Sequence, residues 1–518
     1  MFCIFVLIMV VLYSSFLILS CVLSIHGSLG LHIGVGLCYV LASDSSSTTF
    51  ALTLVLISIS VLIWSYYYID NELEYRTFVI LLLCFLVTMF ILVFSADLLS
   101  LFVAWDLLGF TSFFLVVYYR SRVSLSGGML TGLTNRVGDV LLLAFFGFSS
   151  YSSCDLNSWF FLLLLWVSFT KSAQVPFSRW LPAAMLAPTP VSALVHSSTL
   201  VTAGVYLLYR YSFSSHSFLT AVGIFTLLMA GMAACLESDI KKVIALSTLS
   251  HLGLMFTALG LCSRCLTFSH LVIHAAFKAL LFLAVGTAIH VDYGSQESRS
   301  KLAITFCSPF VFVVLVIALA SNIGLVFTSG FLSKEAILSL CLNARIGLSV
   351  GILFYTGIGL TLVYSLRLLS TVSGSRDGFC SFSPLLSVSW VVKLPLLFLS
   401  ALTLLQICRS RILPLSSFGC VCFADNLLVL GVLVGSCFLN YLVRPSTNTF
   451  TNPQSLCSYS TSGLSRSFEY LTLVQGTEIA MLQGYGLGYA SALVSPANGN
   501  FVVMGKFLLF IIFVFVIA

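Results

Sequence analysis

Residues 268–290 read FSHLVIHAAFKALLFLAVGTAIH, a stretch apolar and long enough to cross a bilayer as one helix. Within it His270, His274 and Lys278 recur every four residues. That spacing sets them on one helical face, each about 6 Å above the last. An ionisable group at membrane depth costs several kcal/mol unless it faces a partner or water. Three in register therefore predict a buried polar path inside a membrane protein, and the rest of the chain is organised around it.

Composition agrees. The chain has 518 residues, 59% hydrophobic and 8% charged, a balance outside the range of soluble domains and typical of a polytopic membrane protein. The formal net charge of +6 is spread thinly over loops, without a basic patch interleaved with aromatics, which argues against a nucleic-acid partner. Sixteen Cys fall mostly inside apolar runs, where Cys acts as a small hydrophobe. Cys262 and Cys265 form one CxxC, and Cys420 and Cys422 one CxC, but no second pair stands at a spacing suited to zinc or an iron-sulfur cluster. The glycines near Gly484 to Gly488 follow no strand, so a dinucleotide site fails on context. The expectation is a chain with no metal, no cofactor and no redox chemistry of its own.

Apolar runs long enough to span recur at 1–23, 47–68, 76–95, 97–119, 126–148, 158–175, 191–212, 217–236, 241–261, 267–290, 305–343, 346–371, 391–412, 422–443 and 502–518. They predict an all-α polytopic membrane protein of about 15 transmembrane helices. Met1 to Leu23 lacks a basic flank and a cleavage site and reads as a retained helix, not a signal peptide. The Gly-rich segment 28–43 reads as a loop packed on the protein. Segment 305–343 is too long for one crossing and holds Ser, Asn and Gly between Ser321 and Gly330, which predicts a broken helix. A second break is expected after Lys171, where Pro176, Pro182, Pro188 and Pro190 remove backbone donors. Two interrupted, charged segments in comparable places suggest a transporter with internal repeats.

The polar stretch 445–501 is expected to hold a short surface-lying helix near Leu464 to Gln483, followed by a terminal anchor, Val502 to Ala518. The chain divides accordingly into N-terminal helices at 1–95, a first half-channel at 96–230, a central axis with a second half-channel at 231–371, C-terminal helices at 372–444, the lateral segment at 445–501 and the anchor at 502–518.

Several charges lie inside these spans. Asp106 stands in FVAWDLLGF, bracketed by hydrophobic residues, and is the obvious counter-ion for Lys171 in WVSFTKSAQVPF, unless Lys171 snorkels from its helix end. Arg136 and Asp139 are one turn apart, and either form a self-contained ion pair or act with the others. His196 lies among hydroxyls in VSALVHSSTL, as a relay group or a hydrogen-bonded core residue. Lys334 and Glu335 follow the break in 305–343, as a buried pair or as a pair in an ordinary loop. Asp239, Lys241 and Lys242, and likewise Gln296, Glu297 and Arg299, read first as surface charge between spans. The chemistry common to the buried set is proton handling, because imidazole takes up a proton on one ring nitrogen and releases one from the other.

At these residues the chain resembles a known family. The blocks WDLLGFTSFFLVVYYR, NRVGD, KSAQVPFSRWLPAAMLAPTPVSALVHSST, ESDIKKVIALSTLSHLGLM, HLVIHAAFKALLFLAVGTAIH followed by QESR, and SGFLSKE resemble, in order, the signature blocks of the antiporter-like subunits of respiratory complex I. The match runs from about Thr48 to Glu335. It implies antiporter-like inverted repeats, with two half-channels joined by a central polar axis. It also implies a non-redox, proton-translocating membrane-arm subunit of NADH:ubiquinone oxidoreductase in the mitochondrial inner membrane.

Carried onto this chain, the family's relay falls on Asp106, Lys171, His196, His270, His274, Lys278 and Lys334, with Arg136, Asp139, Glu335 and Asp239 in coupling or secondary roles. FMN, iron-sulfur clusters and ubiquinone are then expected in other subunits. The implied partners are other membrane-arm subunits, especially the neighbouring antiporter-like chain 4, together with lipid and protons. A subunit of a multi-subunit sodium/proton antiporter sharing these motifs is the alternative. Two departures stand out: Asp106 occupies a place where the family usually has Glu, and the chain begins about one helix late.

Overall fold

A computed structural model of the chain describes residues 28–410, apart from 33–37, 70–73, 152–156, 212–216, 292–293, 295, 297–307, 326–327, 344–347 and 374–388. The spans expected at 1–23, 422–443 and 502–518 and the lateral segment at 445–501 lie outside the described residues.

The described chain is helical except for one antiparallel hairpin, β1 (Ser28–His32) and β2 (Cys38–Ala42), in register from Ser28 opposite Ala42 to His32 opposite Cys38. The segment expected as a loop does not cross as a helix, but its two ends pair. Four helices follow: α1 (Ser45–Tyr68), α2 (Tyr75–Phe94), α3 (Leu98–Val117) and α4 (Arg122–Tyr151). Ser and Thr are tolerated inside these apolar helices because their hydroxyls bond back to carbonyls one turn earlier, as Thr53 does to Phe50 at 2.8 Å and Thr88 to Phe85 at 2.8 Å.

α5 (Asn157–Lys171) stops at the lysine itself. The chain then turns through Ala173, at φ 53°, into α6 (Trp180–Ala184) and α7 (Thr189–Val191), with Pro190 in the first turn where its missing N–H costs nothing. A π-helical segment, Ser192–Thr199, continues into α8 (Leu200–Tyr211). The Trp180 indole N–H donates to the Thr170 carbonyl at 2.9 Å and pins this excursion against the end of α5.

The second half comprises α9 (Ser217–Leu236), α10 (Ile240–Gly260), α11 (Arg264–Val291), α12 (Pro309–Ile323), α13 (Ser329–Asn343), α14 (Leu348–Ser373) and α15 (Trp390–Ser410). The break expected in 305–343 lies between α12 and α13. Gly324 takes φ +80° there and closes α12 through its N–H to the Ala320 carbonyl at 3.0 Å. Gly330 is required as well, since a Cβ at that position would overlap the Ser321 carbonyl oxygen.

Among the described residues nine helices, some of them joined end to end, are long and apolar enough to cross a membrane. Three such segments, Thr189–Tyr211, Ile240–Gly260 and Arg264–Val291, are buried along their length. The outer helices turn apolar side chains such as Val87, Val140 and Ile352 outward, as lipid-facing surfaces do. The opening stretch lies in α11, which packs against α1, α10, α12, α13 and α15 and is central among the described residues.

Candidate functional site

The first cluster joins α3, α4 and α5. Arg136 on α4 holds both carboxylates: its Nη1 bonds Asp106 Oδ1 on α3 and lies 3.3 Å from Asp139 Oδ2 one turn along its own helix. Asp106 and Arg136 keep 37% and 55% of their side-chain exposure, whereas Asp139 keeps 7%. The i,i+3 pair therefore exists, but it is shared and not self-contained.

Lys171 is wholly buried and does not snorkel. Its ammonium donates to the Trp105 carbonyl at 3.2 Å and lies 5.2 Å from the centre of the Trp105 ring. Gly109 leaves the room for it, since a Cβ there would come within 3.1 Å of Nζ. Asp106, expected as the counter-ion of Lys171, lies near it but forms its ion pair with Arg136. Arg136 takes the Asp106 oxygen, and Lys171, the last residue of α5, is held by the carbonyl of Trp105 on α3.

His196 sits in the π-helical segment, buried, with no hydrogen-bond partner on either ring nitrogen. It meets the edge of Trp180, ring centroids 6.1 Å apart. Trp180 is in turn bonded to Thr170, the neighbour of Lys171. The link from Lys171 to His196 is thus steric, with no direct hydrogen bond between them.

The central ladder is entirely buried. Lys278 donates to Ser247 Oγ at 2.6 Å and to Asn322 Oδ1 at 2.7 Å. Lys334, one turn into α13, donates to the backbone carbonyls of Asn322 at 2.6 Å and Ile323 at 3.2 Å. Those carbonyls are the last of α12, released by the break and carrying the negative end of its dipole, so the broken helix supplies a cation seat. Lys334 is therefore a buried residue and not half of a loop pair; Glu335 beside it is part-exposed.

His270 Nδ1 lies 2.9 Å from Ser333 Oγ, and His270 Nε2 lies 3.2 Å from Nδ1 of His251 on α10. His274 has no partner on either nitrogen. Farther along, Ser250 and Tyr364 hydroxyls meet at 3.0 Å.

Asp239 is the N-cap residue of α10 and pairs with Lys242. Lys241 departs from the surface expectation: it is 4% exposed, with Nζ 3.4 Å from the Ala187 carbonyl. The helix turn that leaves Lys242 outside points Lys241 inward at the linker before α7. Gln296 accepts the Ile240 N–H at 3.0 Å, and Glu297 and Arg299 lie outside the described residues. Cys262 and Cys265 are exposed, and among the described residues no three His, Cys, Asp or Glu side chains converge as metal ligands.

Sequence reasoning missed three residues of this site: His251, Ser247 and Asn322. A signal existed for the first two, because Ser247, Thr248, Ser250 and His251 fall within five consecutive positions of an otherwise largely apolar helix. Asn322 was visible only as part of a weak helix stretch.

Comparison with known proteins gives a consistent picture. The family described as NADH:quinone oxidoreductase/Mrp antiporter, TM, matches residues 95–361. The chain is 42% identical over 334 residues to NADH-ubiquinone oxidoreductase chain 5 of Caenorhabditis elegans, covering 62% of this chain and 63% of that one. It is 38% identical over 414 residues to the Anopheles gambiae protein of that name, covering 76% and 71%. For the Lumbricus terrestris protein the figures are 36% over 490 residues, 87% and 85%. The chain spans just under two thirds of the nematode relatives, 63% for Caenorhabditis elegans and 64% for Ascaris suum. A chain in the solved structure of an Mrp complex from a Dietzia species shares the fold, with a TM-score of 0.70 at 22% identity, over 93% of this chain and 59% of that one.

Proposed function

The chain belongs to the NADH:quinone oxidoreductase/Mrp antiporter membrane family, and from that premise we propose that it is a proton-translocating, non-redox membrane-arm subunit of an NADH:ubiquinone oxidoreductase in the mitochondrial inner membrane. Residues 96–230 form its first half-channel and 231–371 its central axis and second half-channel. Flavin, iron-sulfur clusters and ubiquinone reside in other subunits, and its neighbours are other membrane-arm subunits, chain 4 among them.

One observation carries this: Lys278 and Lys334, both buried, hydrogen-bond to opposite ends of the same residue, Asn322, at the break of a helix. Two ammonium groups so placed repel each other through a low-dielectric interior, so a proton arriving on Lys278 favours release from Lys334. On the entry side Arg136 links the two carboxylates near Lys171, and a shift of that guanidinium changes the charge that Lys171 faces. Redox-driven motion elsewhere in the assembly supplies the energy.

The alternative, a subunit of a multi-subunit sodium/proton antiporter, draws on the Mrp likeness, which at 22% identity speaks for the fold alone. The relatives at 36–43% identity carry the oxidoreductase name. Purification separates the two: co-migration with flavin and iron-sulfur subunits is expected, and a complex free of redox centres refutes the proposal. In vesicles, Lys278→Met is expected to lower the number of protons moved per NADH oxidised at unchanged assembly. An unaltered ratio removes Lys278 from the path.

A further inference from the structure

The ladder on α11 has a gap. His270 and His274 are one turn apart, yet their rings stand 6.4 Å apart with no hydrogen bond between them. His251, on α10 and fully buried, fills that interval from the side. Its ring centre is 5.4 Å from each of the other two, and its Nδ1 is 3.2 Å from His270 Nε2. Phe277 packs edge-on against both His251 and His274, at 5.4 Å from each, and fixes their rings.

One tautomeric arrangement of these contacts gives the protons an order. In the tautomer that carries its proton on Nδ1, His270 donates to the Ser333 oxygen at 2.9 Å while the Ser333 hydroxyl donates to the Gly330 carbonyl at 3.2 Å. Neutral His270 then presents a bare Nε2, which accepts from His251 Nδ1–H. Neutral His251 is left with a lone pair on Nε2, an atom that is buried and has no hydrogen-bond partner. In that arrangement the network ends on the Nε2 lone pair of His251, whose ring centre is 5.4 Å from that of His274.

We infer that His251 is a relay residue that carries protons between His274 and His270, across the interval that α11 leaves open; this rests on the proton-translocating function proposed above. A proton leaves a ring nitrogen of His274 and forms an N–H bond at His251 Nε2, directly or through one bridging water. The His251 Nδ1–H bond then breaks as an N–H bond forms at His270 Nε2. One proton and one positive charge move from His274 to His270, and no electrons change hands.

The test uses the assembled complex in vesicles and reads protons moved per NADH oxidised for the natural chain, Lys278→Met and His251→Gln. The glutamine amide offers a donor and an acceptor, as the imidazole does, but cannot hold an extra proton. His251→Gln is expected to lose the same part of the ratio that Lys278→Met loses. A natural ratio in His251→Gln beside a lowered one in Lys278→Met overturns the role of His251 and leaves the proposed function standing. An unaltered ratio in Lys278→Met overturns both. If His251→Gln does not assemble, His251→Asn is read in the same way, and failure of both amides to assemble overturns the relay role, because residues that keep the hydrogen bonds would then fail on structure alone.

Discussion

Lys334 donates a hydrogen bond to the backbone carbonyl of Asn322 at 2.6 Å, across the break between α12 and α13. The Asn322 side-chain oxygen accepts from Lys278 at 2.7 Å, so one residue joins two buried cations that lie 56 positions apart in the chain, 334 minus 278. The backbone half of this link survives any substitution at 322, while the side-chain half does not. That difference makes the joint testable.

Asn322→Ala is expected to lower proton movement per NADH oxidised and to cost about 1.5–3 kcal/mol, the range for a hydrogen bond to a charged group. Thermal unfolding of the purified complex measures the second effect and a vesicle pumping assay the first. A natural pumping ratio in this variant would show that Lys278 and Lys334 work independently.

The break itself depends on two glycines for different reasons. Gly324→Ala forces a side chain into the left-handed region and sets its Cβ 3.1 Å from Lys334 Cδ, a strain of about 1–2 kcal/mol. Gly330→Ala meets a backbone oxygen that cannot yield. Assembly yield should therefore fall further for Gly330→Ala than for Gly324→Ala, and the reverse order would place the break elsewhere.

Gly109→Ala probes the seat of Lys171. The added methyl comes within 3.1 Å of Nζ, the far end of a flexible side chain, so the protein folds and the ammonium moves. The expected result is near-natural assembly with a lowered pumping ratio. Natural pumping would mean that the position of Lys171 over Trp105 does not matter.

Arg136 makes the effects of its two carboxylates interdependent. Asp106→Asn is expected to lower coupled turnover, and Arg136→Ala in the same chain to add little further loss. Non-additivity of about 0.5–3 kcal/mol in the activation free energy is the signature of a shared network. Arg136→Ala should cost more thermal stability than Asp106→Asn, because it leaves the buried Asp139 carboxylate without its guanidinium, whereas the Arg136–Asp106 contact is partly exposed. Fully additive activity losses would show that Asp106 acts without Arg136.

The sequence by itself determined the apolar helical character of the described membrane segments, the break between Ser321 and Gly330, the interruption at Lys171 and the ladder of His270, His274 and Lys278. These follow from windows of a few to twenty-odd residues, since the bilayer's demand for apolar length and the periodicity of a helix are local properties. Only the tertiary structure decided that Arg136 and not Lys171 holds Asp106, that Lys241 is buried, and that the ladder is completed by His251, Ser247 and Asn322 from other helices. Spacing along one helix states which residues share a face. Which side chains meet that face depends on how separate helices pack, and no window of sequence contains that information.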